Sequence, residues 1–212
     1  MEVARIPARR DTARVKKDLR ALCAIARDQG AADARILGAR DLAAALRAGQ
    51  EKGCVVSAEE QSIHWPETIY PNDDITEAIT RYQWAIVFRV DVDRYDEGDQ
   101  KKLVPGTARW QAAEKIFGIA AGVESQCFYK GYHLALGLAA TNCRDIYCHE
   151  ERRCWAMIKG RACIHPFKAR PPLDACGLDP LVLAQRAGWT SSSDGSGTRA
   201  QPGFLVGLVL VL

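Results

Sequence analysis

The residues of this 212-residue chain best suited to chemistry are its eight cysteines, and five of them crowd together. Cys143, Cys148, Cys154, Cys163 and Cys176 fall within one stretch of 34 residues, while Cys23, Cys54 and Cys127 are scattered. The run NCRDIYCHEERRCWAMIKGRACIHP spaces the first four as C-x4-C-x5-C-x8-C. Four thiolates this close in sequence can converge on one centre if irregular backbone wraps around it. Tetrahedral sulfur ligation of that kind suits zinc or an iron–sulfur cluster. Structural zinc sites favour tight C-x2-4-C knuckles, and only one spacing here approaches that. A cluster is larger than a single ion and tolerates wider, less regular spacings, so the expectation is one cluster of the 4Fe-4S kind, with zinc as the alternative.

The surroundings of the four cysteines carry further signals. Between residues 144 and 170 seven cations (Arg144, Arg152, Arg153, Lys159, Arg161, Lys168, Arg170) face three anions (Asp145, Glu150, Glu151), a local formal charge of +4. Cations and backbone N–H groups stabilise a net negative thiolate centre and raise its potential. A basic solvated loop would read the same way. His149 and His165 each lie within two residues of a cysteine, and either can replace a thiolate or donate a hydrogen bond to sulfur, the role favoured here. Trp155 reads as a shield against water. Cys176 is a fifth sulfur within reach of the segment, although a buried cysteine is the better reading.

The elements that must position this segment follow from periodicity. Asp11 can cap a helix whose apolar positions Val15, Leu19, Leu22 and Ala26 share one face, with Gly30 ending it. Cys23 sits on that face as a small hydrophobe. Ala34–Leu37 reads as a strand, and Asp41–Ala48 as a helix or helical turn. Gly53–Asp73 shows no sustained period and reads as a loop. Asp74–Arg81 looks helical, and Trp84–Val90 is the clearest internal strand. The acidic stretch Asp91, Asp93, Asp96, Glu97, Asp99 lacks the glycine and terminal glutamate of a calcium loop and reads as a solvated turn. Thr107 opens a long helix with Trp110, Ala113, Phe117 and Ala120 along one stripe. Gly131–Ala140 is expected to deliver the chain as a strand into the cysteines. A short helix over Asp179–Ala187 ends at Gly188, a connector spans residues 190–203, and Phe204–Leu212 closes as a core strand.

Helices alternating with about four strands predict an α/β or α+β layered sandwich, one domain overall. Residues 1–140 form its core, 141–180 the metal-binding segment, and 181–212 a helix, linker and core strand. Strand order is not readable. A content of 48% hydrophobic and 26% charged residues is that of a soluble globular protein, long enough to build a core without disulfides or metals. A net charge of +3 with no basic–aromatic interleaving argues against nucleic acid. The N-terminus has basic residues but no apolar stretch behind them, so no secretory signal is expected. The C-terminal apolar run has nine residues, far short of the roughly 20 a membrane helix needs. A cytoplasmic protein is expected, where a reducing environment turns clustered cysteines toward metals or catalysis.

Gly131-Tyr132, the cysteines, Cys163-Ile164-His165-Pro166, Ala169-Arg170-Pro171 and Ala175-Cys176-Gly177-Leu178-Asp179 together resemble an uncharacterised family of cysteine-rich predicted metal-binding proteins. Its pattern runs G-x-C-x-x-C-x-x-C, a gap, P-C-x-H-P, then A-R-P-S-x-E-A-x-G-I-D-V. The layout matches most of the chain, but only residues 131–189 carry specific motifs. The resemblance implies Cys143, Cys148, Cys154 and Cys163 as ligands, with Arg170 and Pro171 packing the return of the chain. Here the spacing of the first three cysteines is expanded, and Pro172-Leu173-Asp174 stands where the family has Ser-x-Glu. Many members also carry an N-terminal cysteine cluster ending in C-P-P. The corresponding stretch here has Cys54 and Pro66 but no cysteine set, so one centre per chain is expected.

A chain with one centre cannot pass electrons internally. The leading expectation is therefore an iron–sulfur protein that transfers electrons to, or within, a larger redox enzyme complex. No nucleophile elbow, G-x-G-x-x-G or phosphate loop stands in the chain. The alternatives are a subunit whose zinc knot braces an interaction surface, and an enzyme whose cluster has an open iron held by three cysteines and His149 or His165.

Overall fold

The computed structural model describes residues 11–52, 75–92, 103–151, 154–157, 162–189 and 203–212. The expected loop over Gly53–Asp73, with Cys54, His64 and Pro66, the acidic residues after Asp91 and the connector after Trp189 lie outside them, in whole or nearly so.

Helix α1 (Thr12–Asp28) starts where Asp11 accepts a hydrogen bond from the Ala13 N–H at 3.1 Å, satisfying one of the free donors of the first turn. Val15, Leu19, Leu22, Cys23 and Ala26 form its buried face. Gly30 then adopts φ +102° and turns the chain into strand β1 (Asp33–Gly38). Helix α2 (Ala39–Glu51) follows without a linker, its Asp41 carboxylate accepting from the Gly38 N–H at 3.1 Å. Helix α3 (Ile75–Thr80) precedes strand β2 (Trp84–Asp91). The long helix α4 (Ala108–Tyr129) is capped by Thr107, which accepts from the Trp110 N–H at 3.3 Å. Strand β3 (Leu136–Leu138), helix α5 (Cys143–Tyr147), a 3-10 turn (Trp155–Met157), helix α6 (Pro180–Arg186) and strand β4 (Phe204–Val211) complete the order.

The four strands form one sheet in the order β1-β2-β4-β3, every neighbouring pair antiparallel. Because successive residues of a strand face opposite sides, β2 serves two cores. Ile86, Phe88 and Val90 join α1 and α4 on one side. Ala85 and Val87 join Leu42, Leu46 and Leu183 on the other. The result is the α/β sandwich expected, a sheet with helices on both faces.

Strand β4 runs between β2 and β3, so the most apolar run of the chain lies where both its edges and both its faces are covered. Fully burying one of its leucines or valines contributes about 2 kcal/mol.

Strand β3 is shorter than the expected Gly131–Ala140. Gly131 takes φ +86°, its N–H bonds to the Phe128 carbonyl at 2.8 Å, and the Tyr132 N–H bonds to Cys127 O at 2.9 Å. These residues finish α4 in the manner of a glycine-terminated helix, leaving only three residues to pair with β4.

Candidate metal centre

The cysteine segment is fastened at both ends. Where it leaves β3, the Ala139 N–H bonds to Pro171 O at 2.9 Å, and the Leu173 N–H returns to Ala139 O at 2.9 Å. Ala139 and Pro172 thereby form a parallel bridge at the edge of the sheet. Next to it the Arg170 guanidinium grips the Glu124 carboxylate of α4 with two bonds, Nε to Oε2 at 3.0 Å and Nη2 to Oε1 at 2.9 Å. Glu124 Oε2 also accepts from the Gly137 N–H. A Cβ on Gly137 would lie 2.8 Å from that oxygen, so any larger residue there would push the Glu124 carboxylate from its place.

Between these anchors the four cysteines take separate local settings. Asn142 caps α5 by accepting from the Arg144 N–H at 3.0 Å, placing the buried Cys143 as the first helical residue. Ile146 buries into the core shared with α4. The Tyr147 ring meets Phe117 edge-on at 5.4 Å, and the Trp110 indole N–H bonds to Asp145 O at 3.3 Å. Cys148 ends the helix, also buried. Arg144 closes the following turn on Glu151 O at 3.1 Å. Trp155, after Cys154, aims its indole N–H at the Glu151 carboxylate, 3.4 Å away. Cys163 accepts the His165 backbone N–H on its sulfur at 3.3 Å.

Burial first, then the neighbouring Cys163, Cys154 and Cys148 in that order, push the Cys143 thiol up to about 12. Burial and then Cys154 and Cys163 raise Cys148 as well. Like charges raise one another's pKa in this way, so the thiols of the segment are electrostatically linked. Cys23 and Cys127 are also pushed up, to about 11 and 12, chiefly by burial; Arg27 opposes the rise at Cys23 and Glu124 adds to it at Cys127, with no other cysteine involved. Among the described residues, however, no three cysteine, histidine or carboxylate side chains stand close enough to hold a metal ion. The four thiols suit a thiophilic metal in kind, while their placement brings no three described donors within reach of one ion.

The other candidate residues divide. The His165 ring stacks at 5.5 Å on Tyr147, while its backbone supplies the bond to sulfur. His149 is exposed, with Nε2 3.9 Å from the Glu150 carboxylate. Arg170 holds Glu124. Cys176 is fully buried in the apolar cluster on the opposite face of the sheet, with Leu173 and Leu178.

A model of the family described as predicted metal-binding protein (DUF2284) matches residues 60–211. The chain belongs to this family. No curated protein and no solved structure matches it. Membership makes metal binding the family's expected property and leaves the metal open. Within the family region, sequence reasoning passed over Glu124, Tyr147 and Trp110 as parts of the site. Glu124 carried a signal: with Phe117, Ala120 and Cys127 it falls on the buried stripe of α4, where a carboxylate needs a cation.

Proposed function

We propose that the chain is an iron–sulfur protein that moves electrons to, or within, a larger redox enzyme complex. The observation that supports this reading is the crowding of Cys143, Cys148, Cys154 and Cys163 in one segment fastened at both ends, within a stretch of local charge +4. A cluster bound by these thiolates would supply one-electron transfer. The chain's own residues supply the rest. Cys143, Cys148, Cys154 and Cys163 are the ligands. The His165 backbone N–H bonds to the Cys163 sulfur, and Arg144 acts against the upward push on Cys148. The Tyr147, Phe117 and Trp110 packing fixes α5 against the core and limits water on that side. A thiolate centre of this type needs a reducing compartment, for which the cytoplasm is the natural choice.

The test is iron and acid-labile sulfide analysis of anaerobically purified protein. Brown protein whose broad visible absorption bleaches with dithionite is expected. A colourless protein holding zinc would defeat the reading. Alanine at any one of Cys143, Cys148, Cys154 or Cys163 should remove most of the bound iron, whereas Cys23→Ala, Cys127→Ala and Cys176→Ala should retain it. A full iron complement in the first group would show the ligand set to be wrong.

A further inference from the structure

We propose that Tyr147 and His165 are positioning residues of the cysteine centre. Their ring contact holds the turn that begins at Cys163 against helix α5, which starts at Cys143 and is capped by Cys148. His165 then acts through the packing of its ring and through its backbone N–H, not as a metal ligand. The proposal rests on the four-thiol reading above and is the same for iron and for zinc.

Cys143 and Cys148 belong to α5, whereas Cys163 follows a separate stretch of chain. Registering these two halves of the segment needs contacts that cross between them. A series of such contacts starts in the core. Phe117 is fully buried on α4, and the half-buried Tyr147 ring meets it edge-on at 5.4 Å. Tyr147 in turn lies 5.5 Å from the His165 ring, the two planes 34° apart. Both separations fall in the range of about 4.5–7 Å over which aromatic rings attract. The series ends where the His165 backbone N–H bonds to the Cys163 sulfur at 3.3 Å.

The turn that carries His165 is itself held in shape. The Lys168 and Ala169 N–H groups both bond to His165 O, at 3.1 and 2.9 Å. The Lys168 ammonium stands 5.8 Å from the Tyr147 ring centre, within reach of a cation–π attraction. Two side chains of one turn thus address the same ring, and that ring is fixed to the core by Phe117. Four thiols complete a tetrahedral sulfur set without an imidazole, which leaves the His165 ring free for this packing. Groups that orient ligands without touching the metal carry much of a site's affinity.

Two measurements on the full chain test the assignment. The first is the rate at which bound iron or zinc is lost to excess chelator. The second, on the reduced and metal-free chain, is cross-linking of Cys163 to Cys143 or Cys148 by dibromobimane, which fluoresces once both its arms have reacted, with the pairs identified by peptide mapping. His165→Leu should speed metal loss and slow the cross-link, each roughly tenfold, with far-UV circular dichroism unchanged. His165→Phe and Tyr147→Phe keep both rings and should match the parent in both measurements. His165→Phe that loses its metal while cross-linking at the parent rate would show the imidazole to be a ligand and overturn the proposal. His165→Leu that matches the parent in both would overturn it too, with the four-thiol reading left standing. A parent chain that holds neither iron nor zinc would overturn the four-thiol reading, and this proposal with it.

Discussion

Arg170 bonds through both faces of its guanidinium fork to Glu124, and only 12% of its side chain is exposed. Breaking a pair this enclosed strands the remaining carboxylate, so Arg170→Ala should cost about 3 kcal/mol, read as a lower urea midpoint. Arg170→Lys should recover little of it, because an ammonium cannot reproduce the two parallel bonds. The resemblance assigned Arg170 to packing the return of the chain, and that much was legible. Its partner was not, since Glu124 lies far off in sequence. Asp33 gives a second residue-scale expectation. Burial pushes its carboxyl up, but this is outweighed by hydrogen bonds from the Trp189 indole and the Ala34 N–H, and by Arg35 and Arg27, so it lies below the usual range. A depressed folded value stabilises above the unfolded value and is lost as pH falls through the folded one. Asp33→Asn should therefore cost about 1 kcal/mol at neutral pH. Its urea midpoint should converge with the parent's below about pH 4.

At the scale of elements, the run Ala175-Cys176-Gly177-Leu178-Asp179 turns out to be a clasp. Asp179 caps α6 by accepting from the Leu181 N–H at 2.8 Å, and Lys52 at the end of α2 donates to the same carboxylate. The Asp179 N–H reaches Ala45 O at 3.1 Å. Gly177 takes φ +73°, and its carbonyl lies so near Gly49 that a Cβ there would collide with backbone. Gly49→Ala should cost more than about 3 kcal/mol, since neither helix nor turn can yield without losing core contacts. Thermal unfolding of that variant against Gly38→Ala, whose Cβ would meet nothing, isolates the effect. Helix and strand types were readable along the chain because their apolar periods are long and clean, as in α1 and α4. The end of α4 was misread for a local reason. GYHLALGLAA is apolar enough for a strand, but a glycine after a helix is first of all a place to stop it.

For the molecule as a whole, two apolar clusters flank one sheet, and the cysteine segment borders only one of them. Both cores are built mainly from apolar side chains of the helices and the sheet. Removing bound metal with a chelator should leave far-UV circular dichroism and a cooperative thermal transition in place, with a modest loss of stability. Complete unfolding would show the centre to be structural in the manner of a zinc finger. The sandwich class was legible from the alternation of elements. The order β1-β2-β4-β3 was not, because antiparallel pairing of distant strands leaves no local trace in sequence. The crowding of four cysteines in one segment is visible in the sequence, whereas the anchoring of that segment by Ala139, Pro171 and Leu173 involves backbone groups that any residues could supply.

That anchoring has a thermodynamic side. Joining two distant points of a flexible chain carries an entropy cost that depends on the length between them. The bonds between Ala139 and Leu173 close the ring of chain that contains all four thiols, and they are made as part of folding. On the proposed reading, a metal arriving afterwards would meet sulfurs held within one closed loop, at an effective concentration that an open chain could not offer. It need only draw them inward. Weakening the Ala139 pairing, by proline at that position for example, should therefore loosen metal binding without touching a single ligand.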